Sequence, residues 1–207
     1  MIVSQKNKHF HIHVPKNGGT SFREMMLANG WEGYSHHMTV KDVDRNQYQF
    51  QDFYKTIMIR NPWEHAVSYY RYLLHETCFN IRDFSNICET KETYKNINPE
   101  DVTFENYIKT SYQKRHYQSL TSVELEEKGL TFDKWFDYSD FDGMLNFMES
   151  KFKIELNRDL RIHDKNKFNY VIDIDVSKPY QEFYNDETFE IVKNVSKKEI
   201  EIFNYKF

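Results

Sequence analysis

The stretch HFHIHVPKNGGTSFREMM, residues 9–26, decides the fold. Its first six residues alternate apolar side chains with three histidines, and this period of two predicts a short strand over residues 9–14. Residues 15–19 (PKNGG) predict a turn, and the apolar spacing that follows predicts a helix over residues 20–29. A strand, a glycine-rich turn and a helix in this order are typical of the first part of a phosphate-binding α/β unit.

A second strand-to-helix boundary lies at YKTIMIRNPWE, residues 54–64. Residues 54–59 predict a strand, Asn61 fits a helix N-cap, Pro62 the first helical position and Glu64 the third. Strands that alternate with helices predict a mostly parallel sheet with helices on both faces. Ligands of such sheets bind at the carboxyl ends of the strands, which is where both boundaries place their turns.

Weaker patterns complete the predicted architecture. We expect helices at residues 104–110 and 144–152, a strand at 135–141, one or two amphipathic helices in 187–203, and loops at 75–101 and 157–169. With no repeat or linker in between, we predict a single α/β domain over residues 1–207, with a short, mostly parallel sheet flanked by helices.

Composition limits the classes of function. The net charge of −4 and the scattered Lys and Arg exclude the basic stripe of a nucleic-acid binder, so an anionic ligand would need a local site. The 17 Phe and 15 Tyr predict an aromatic core whose buried tyrosine hydroxyls need partners.

Location is predicted from what the sequence lacks. No stretch approaches the ~20 apolar residues of a membrane span, and the polar first residues do not resemble a signal peptide, so we expect a cytoplasmic protein. Cys78 and Cys88 are too few for a disulfide framework. Reduced thiols are expected, with a single bridge between these two as the alternative.

The turn at residues 15–19 has the chemistry of an anion site. Glycines let the backbone approach a phosphate closely, and the amides and dipole of a helix N-terminus favour negative charge. Lys16 adds a positive charge, and the hydroxyls of Thr20 and Ser21 add donors. The alternative is an ordinary strand-to-helix turn in which Ser21 and Glu24 form a capping box.

The order Pro-Lys-x-Gly-Gly-Thr-Ser after a short strand resembles the 5′-phosphosulfate loop of the sulfotransferases that use 3′-phosphoadenosine 5′-phosphosulfate (PAPS). Within that family it is most similar to the carbohydrate sulfotransferases, such as the heparan sulfate 2-O enzymes and their bacterial relatives. It differs from the nucleotide-triphosphate loop GxxxxGK[ST], because here the lysine precedes the glycines. The resemblance implies that five residues hold the 5′-phosphosulfate: Lys16, Gly18, Gly19, Thr20 and Ser21.

The sequence Arg60-Asn61-Pro62, followed by Ser68, is similar to the 3′-phosphate site of the same family. The resemblance implies that Arg60 and Ser68 hold this phosphate, and the planar fork of arginine suits the task because it can donate two hydrogen bonds to one phosphate. Segments at 116–119, 136–152, 184–186 and 199–207 also resemble family segments, whereas residues 75–110 match no part of it.

A general base is implied at His37, in the sequence His36-His37-Met38-Thr39. Family members have a histidine two residues before a Thr or Ser at this point, and a histidine near neutral pKa can take the proton of an attacking hydroxyl. The heparan enzymes have a second histidine two residues earlier, where this chain has Ser35. The alternative is a surface or packing histidine.

The resemblance therefore implies an enzyme that moves a sulfuryl group from PAPS to an acceptor hydroxyl, with a saccharide favoured as acceptor and without a metal. Lys16 would stabilise the charge that grows on the bridging oxygen. Two other readings of the function stay open: an ATP-dependent phosphotransferase, which would need Mg²⁺, and a nucleotide-binding module without turnover. A zinc site is a further alternative, because His9, His11 and His13 fall on one face of a strand.

Overall fold

The computed structural model describes residues 1–33, 50–74, 102–113, 122–127, 129–161, 174–175 and 177–207. These residues belong to two compact units, the first within 1–60 and 119–162 and the second within 61–118 and 163–207. The single domain predicted over residues 1–207 stays a prediction. The predicted loop at 75–101, with both cysteines, lies outside the described residues.

The regular elements of the described residues are five strands and seven α-helices. The strands are β1 (Ile2–Ser4), β2 (His9–Ile12), β3 (Glu32–Gly33), β4 (Tyr54–Ile59) and β5 (Lys134–Asp137). The helices are α1 (Gly19–Leu27), α2 (Pro62–Leu73), α3 (Phe104–Tyr107), α4 (Ser122–Glu127), α5 (Phe141–Phe152), α6 (Asp186–Val195) and α7 (Lys197–Phe203). Together they confirm the α/β class.

The sheet of the first unit is mixed. Its strand order is β3-β1-β2-β4-β5. Strand β2 pairs with β4 and β4 with β5 in parallel, whereas β1 pairs antiparallel with both β2 and β3. This corrects the expectation of a mostly parallel sheet, which holds only for the β2, β4 and β5 side.

The antiparallel side arises from a hairpin at the start of the chain that the sequence analysis missed. Ile2 and Val3 are fully buried, but residues 4–8 that follow are all polar, so the short apolar segment shows no strand pattern. The turn between β1 and β2 is closed by a hydrogen bond from the Lys8 amide to the Gln5 carbonyl at 3.4 Å. Lys8 has φ 48°, in the left-handed region.

Two apolar layers cover the sheet of the first unit. On one face, strand residues Ile2, Met58 and Phe136 pack with α1 and α5. On the other face, Phe10 and Ile57 pack with α4 and with the aromatic residues that precede β4. The helices on both faces follow from this arrangement, because β1 and β4 carry apolar side chains on both sides, whereas β2 carries Phe10 and Ile12 on one side and buried histidines on the other.

The second unit is helical, and its core is strongly aromatic. Helices α2, α3 and α6 contribute most of its buried side chains. The buried Tyr70 hydroxyl donates to the Val102 carbonyl oxygen at 2.7 Å, and the Tyr112 and Ser196 hydroxyl oxygens are 2.9 Å apart. The expectation that buried tyrosines find partners is confirmed for these two residues.

Several predicted boundaries match the structure. Strand β4 spans the predicted residues, Asn61 accepts a hydrogen bond from the Trp63 amide as the N-cap of α2, and the C-terminal segment forms two helices. Helix α5 begins at Phe141, three residues before the predicted start, because the Asp140 side chain accepts from the Gly143 amide and caps the helix there. The last predicted strand accordingly ends at Asp137. No helix among the described residues is long and apolar enough to cross a membrane.

Candidate functional site

The turn between β2 and α1 lies at the carboxyl edge of the sheet. Strands β2 and β4 are parallel neighbours, so residues 13–18, which follow β2, and Arg60, which follows β4, reach the same edge. Asn17 fastens the turn to the sheet, because its Nδ2 donates to the Met58 carbonyl oxygen at 2.8 Å. Asn17 is buried, and its Oδ1 has no hydrogen-bond partner among the described residues.

Both glycines of the turn have a packing reason to be glycine. Gly18 is the N-cap of α1 with φ 75°, a conformation that residues other than glycine rarely adopt. A Cβ on Gly18 would also lie 2.9 Å from the Tyr138 ring, and a Cβ on Gly19 would overlap the His13 ring. The close packing of two rings against the turn therefore requires small residues here, whether or not an anion binds.

We expect Gly19→Ala to destabilise the protein by about 1–3 kcal/mol, because the added methyl group overpacks the His13 ring. Urea unfolding measures the effect. The control is the same change in a His13→Ala background, where the clash is absent and alanine in a helix is favoured over glycine by about 0.5–1 kcal/mol. An equal cost in the two backgrounds would contradict the packing role.

A hydrogen bond links the Arg60 side chain to the Lys16 backbone in the turn, and we call this link the clasp. Lys16 is a non-glycine residue with φ 62°, and its carbonyl oxygen accepts a 2.7 Å hydrogen bond from Nη1 of Arg60. The Arg60 guanidinium also stacks on the Tyr138 ring, with its central carbon 4.0 Å from the ring centroid. Such a cation–π contact contributes about 0.5–2 kcal/mol. Arg60 therefore fixes the backbone of the turn and adds positive charge beside it.

No acidic side chain in the first turn of α1 opposes an anion at the helix N-terminus. The N-cap of α1 makes no side-chain hydrogen bond. Thr20 is exposed in this turn, whereas Ser21 is buried. The alternative capping box is wrong, because the helix begins at Gly19 and places both Ser21 and Glu24 inside it.

Behind the turn, a chain of buried polar side chains follows β2 and β4. Trp31 Nε1 donates to His9 Nδ1 at 3.0 Å, so the neutral His9 ring carries its proton on Nε2 and donates it to the Thr56 hydroxyl at 2.9 Å. The Thr56 hydroxyl therefore donates its own proton to His11 Nδ1, which lies 2.8 Å from its oxygen. The proton of neutral His11 then belongs on Nε2, which is buried and has no hydrogen-bond partner among the described residues.

Both histidines of this chain are neutral near pH 7. Burial, with a smaller contribution from the charge of Lys151, lowers the pKa of His9 from 6.5 to about 3. Burial also lowers the pKa of His11 well below its usual value, with smaller contributions from His9, the N-terminal amine and His13. These residues contribute to the core of the first unit. Within the described ranges, no group of three or more His, Cys, Asp or Glu side chains could hold a metal ion.

The structure brings together six of the predicted site residues at one turn: Lys16, Gly18, Gly19, Thr20, Ser21 and Arg60. Ser68 is half-buried on α2 and belongs to the second unit. His37 and its neighbour His36 lie outside the described residues. Sequence reasoning missed Tyr138, although its position directly after β5, the next parallel strand, places it at the same edge of the sheet.

Comparisons of the chain with family models, with curated proteins and with solved structures found no match. The turn itself, and the resemblance of its residues to a phosphosulfate loop, are therefore the features that bear on function.

Proposed function

We propose that the protein is a sulfotransferase that moves a sulfuryl group from PAPS to an acceptor hydroxyl. The observation that carries the proposal is the clasp at the glycine turn. The Arg60 guanidinium donates to the backbone of Lys16, beside an α-helix N-terminus that has no acidic residue in its first turn. An anion would gain there from the backbone amides, the helix dipole and the Arg60 charge, to which the resemblance adds the Lys16 ammonium.

In the proposed complex, the 5′-phosphosulfate occupies the turn formed by Lys16, Gly18, Gly19, Thr20 and Ser21. Arg60 and Ser68 bind the 3′-phosphate, as the resemblance implies. His37 takes the proton of the acceptor hydroxyl while the acceptor oxygen bonds to sulfur. The bond between sulfur and the bridging phosphate oxygen then breaks, and 3′-phosphoadenosine 5′-phosphate leaves with the electron pair.

Catalysis in this scheme consists mainly of positioning and electrostatic stabilisation. The Lys16 ammonium stabilises the negative charge that develops on the bridging oxygen, and the leaving phosphate is a weak base, so no general acid is needed. The scheme uses no metal ion. A saccharide is the favoured acceptor, and a cytoplasmic location is part of the same proposal.

Calorimetric titration with 3′-phosphoadenosine 5′-phosphate and with AMP, both without metal, tests the donor site. The two nucleotides differ only in the 3′-phosphate, which a charge-assisted hydrogen bond from Arg60 would favour by about 10- to 100-fold. We expect the unaltered protein to prefer the 3′-phosphorylated nucleotide by such a factor and Arg60→Ala to lose this preference.

The same titration separates the two roles of Arg60. If Arg60 only fixes the turn through the Lys16 carbonyl, Arg60→Ala weakens binding of both nucleotides equally and the preference survives. A preference of the unaltered protein for Mg-ATP would overturn the proposal in favour of a phosphotransferase. A binding module would behave differently. The unaltered protein would form no sulfated product with any acceptor, and His37→Ala would leave nucleotide binding intact.

A further inference from the structure

A groove of about 690 Å³ opens at the amino-terminal end of β4, at the opposite edge of the sheet from Lys16. We call it the lysine groove and define it by Lys8, Tyr54, Lys55, Asp133, Lys151 and Phe152, all of which line it. The six residues of β4 separate it from the glycine turn by roughly 20 Å, at about 3.3 Å per residue. The lysine groove is therefore a separate place from the proposed donor site.

Hydrogen bonds within the fold fix two of the residues that line the lysine groove, Lys55 and Asp133. The Lys55 side chain is buried, and its Nζ donates to the carbonyl oxygens of Gln51 at 2.8 Å and Phe53 at 3.2 Å. The Lys55 amide donates to Asp133 Oδ2 at 2.7 Å, and the Asp133 amide donates to the Lys55 carbonyl oxygen at 2.9 Å. Lys55 and Asp133 are thus used within the fold, and the groove does not depend on them for ligand binding.

Two further lysines are held in place at the groove and keep their charge available. The Lys8 carbonyl oxygen accepts from the Tyr54 amide at 2.7 Å, and Lys8 Nζ lies 5.4 Å from the Phe53 ring centroid. Lys151 Nζ lies 3.7 Å from the Tyr54 ring centroid. Among the described residues, neither ammonium group makes an ion pair. Contact with ring faces orients both groups without neutralising them.

The rest of the lining is of mixed character. Asn7 and Gln51 supply amide groups, Asp52 supplies a carboxylate, and Phe152 supplies an apolar ring. The Asp52 carboxylate would repel a bare phosphate or sulfate ion. The same carboxylate accepts hydrogen bonds from hydroxyl groups, so it favours a ligand that carries hydroxyls as well as an anionic group.

We propose that the lysine groove binds a sulfate-bearing saccharide. Lys8 and Lys151 take the anionic group as point charges. The amide of Gln51, the carboxylate of Asp52 and the Oδ1 of Asn7, whose Nδ2 already donates to the Ser4 hydroxyl oxygen at 3.1 Å, bind ring hydroxyls. This site goes beyond the proposed sulfuryl transfer, since it lies away from the donor turn and requires no chemistry there.

Titration with a sulfated hexasaccharide and with the same hexasaccharide after desulfation tests the site. We expect the sulfated probe to bind at least about tenfold more tightly, because two ammonium groups face its anionic groups. The variant Lys8→Asn with Lys151→Ala should lose at least about tenfold in affinity for the sulfated probe. Asparagine replaces Lys8 because it tolerates the left-handed conformation found there.

The matched control is Lys178→Ala with Lys193→Ala. These lysines also lie over phenylalanine rings, at 5.2 Å from Phe183 and 5.6 Å from Phe189, and they lie outside the groove. The control removes the same charge, so its affinity for the sulfated probe should stay within about twofold of the unaltered protein.

Three results would overturn the proposal: no binding of the sulfated probe, equal binding of both probes, or equal losses in the two double variants. The last result would mean that net charge, and not the lysine groove, attracts the probe. Affinity for 3′-phosphoadenosine 5′-phosphate, measured on the same samples, reports on the donor site separately. Either proposal can therefore fail while the other stands.

Discussion

The Lys16→Ala variant is expected to form 3′-phosphoadenosine 5′-phosphate from PAPS at least about 10²- to 10³-fold more slowly than the unaltered protein. This is the usual loss when one group that stabilises transition-state charge is removed. The measurement is a single-turnover assay with saturating PAPS and an acceptor found by screening. Saturation keeps weaker donor binding from being counted as slower chemistry.

Lys153→Ala is the matched control for this change. Lys153 is an exposed lysine with φ 55° at the C-cap of α5, so it shares with Lys16 both the charge and the left-handed backbone. Any cost of placing alanine in that conformation affects both variants. Near-normal turnover of Lys16→Ala would exclude the catalytic role of Lys16, and an equal loss in Lys153→Ala would show that losing a lysine in this conformation lowers activity wherever it lies.

Lowering the pH from 7 to 5 is expected to reduce the free energy of unfolding by about 2 kcal/mol through His9, and His11 adds to the decrease. An unfolded histidine takes up a proton as the pH falls below 6.5, whereas folded His9 stays neutral down to about pH 3. At pH 5 the difference for His9 is about 1.5 pKa units, or about 2 kcal/mol. Burial also lowers the pKa of His11 well below its usual value, so His11 acts in the same direction.

The sign of this pH effect follows from the hydrogen bonds. A proton on His9 Nδ1 would displace the bond from Trp31, and a proton on His11 Nδ1 would displace the hydrogen that Thr56 donates. The stabilisation is thus fully present above pH 6.5 and is lost progressively toward pH 3.

Urea unfolding at a series of pH values measures this dependence. His9→Gln and His11→Gln remove one titrating ring each. His9→Gln should lose about 2 kcal/mol of the decrease between pH 7 and pH 5, and His11→Gln should reduce the decrease as well. A slope that neither substitution changes would show that other groups determine the acid sensitivity.

The local elements of this chain could be predicted where sequence signals are strong. Asn61 followed by Pro62 marks the start of α2, because the cap and the missing proline amide both favour a helix start at that position. Strand β1 (Ile2–Ser4) could not be predicted, because its stability comes from pairing with β2 and β3 rather than from its own three residues.

The site was predictable in its residue types but only partly in its contacts. Lys16 and the glycines are recognisable from their order, and two parallel strands that end at one edge bring Arg60 to the turn. The Tyr138 ring and the His13 ring at the glycines depend on tertiary packing, and no spacing rule encodes that packing. For the same reason the sequence allowed Arg60 as a phosphate ligand without indicating its bond to the Lys16 carbonyl.

The short outer strands of the mixed sheet have a consequence for self-association. Strand β3 is an outer strand of only two residues, both exposed, and one of them is charged. The opposite outer strand, β5, carries a charged residue at each end, Lys134 and Asp137. Short, charged outer strands offer few unpaired backbone groups to a neighbouring molecule. We therefore expect the described sheet to be a poor template for strand-by-strand growth into fibrils.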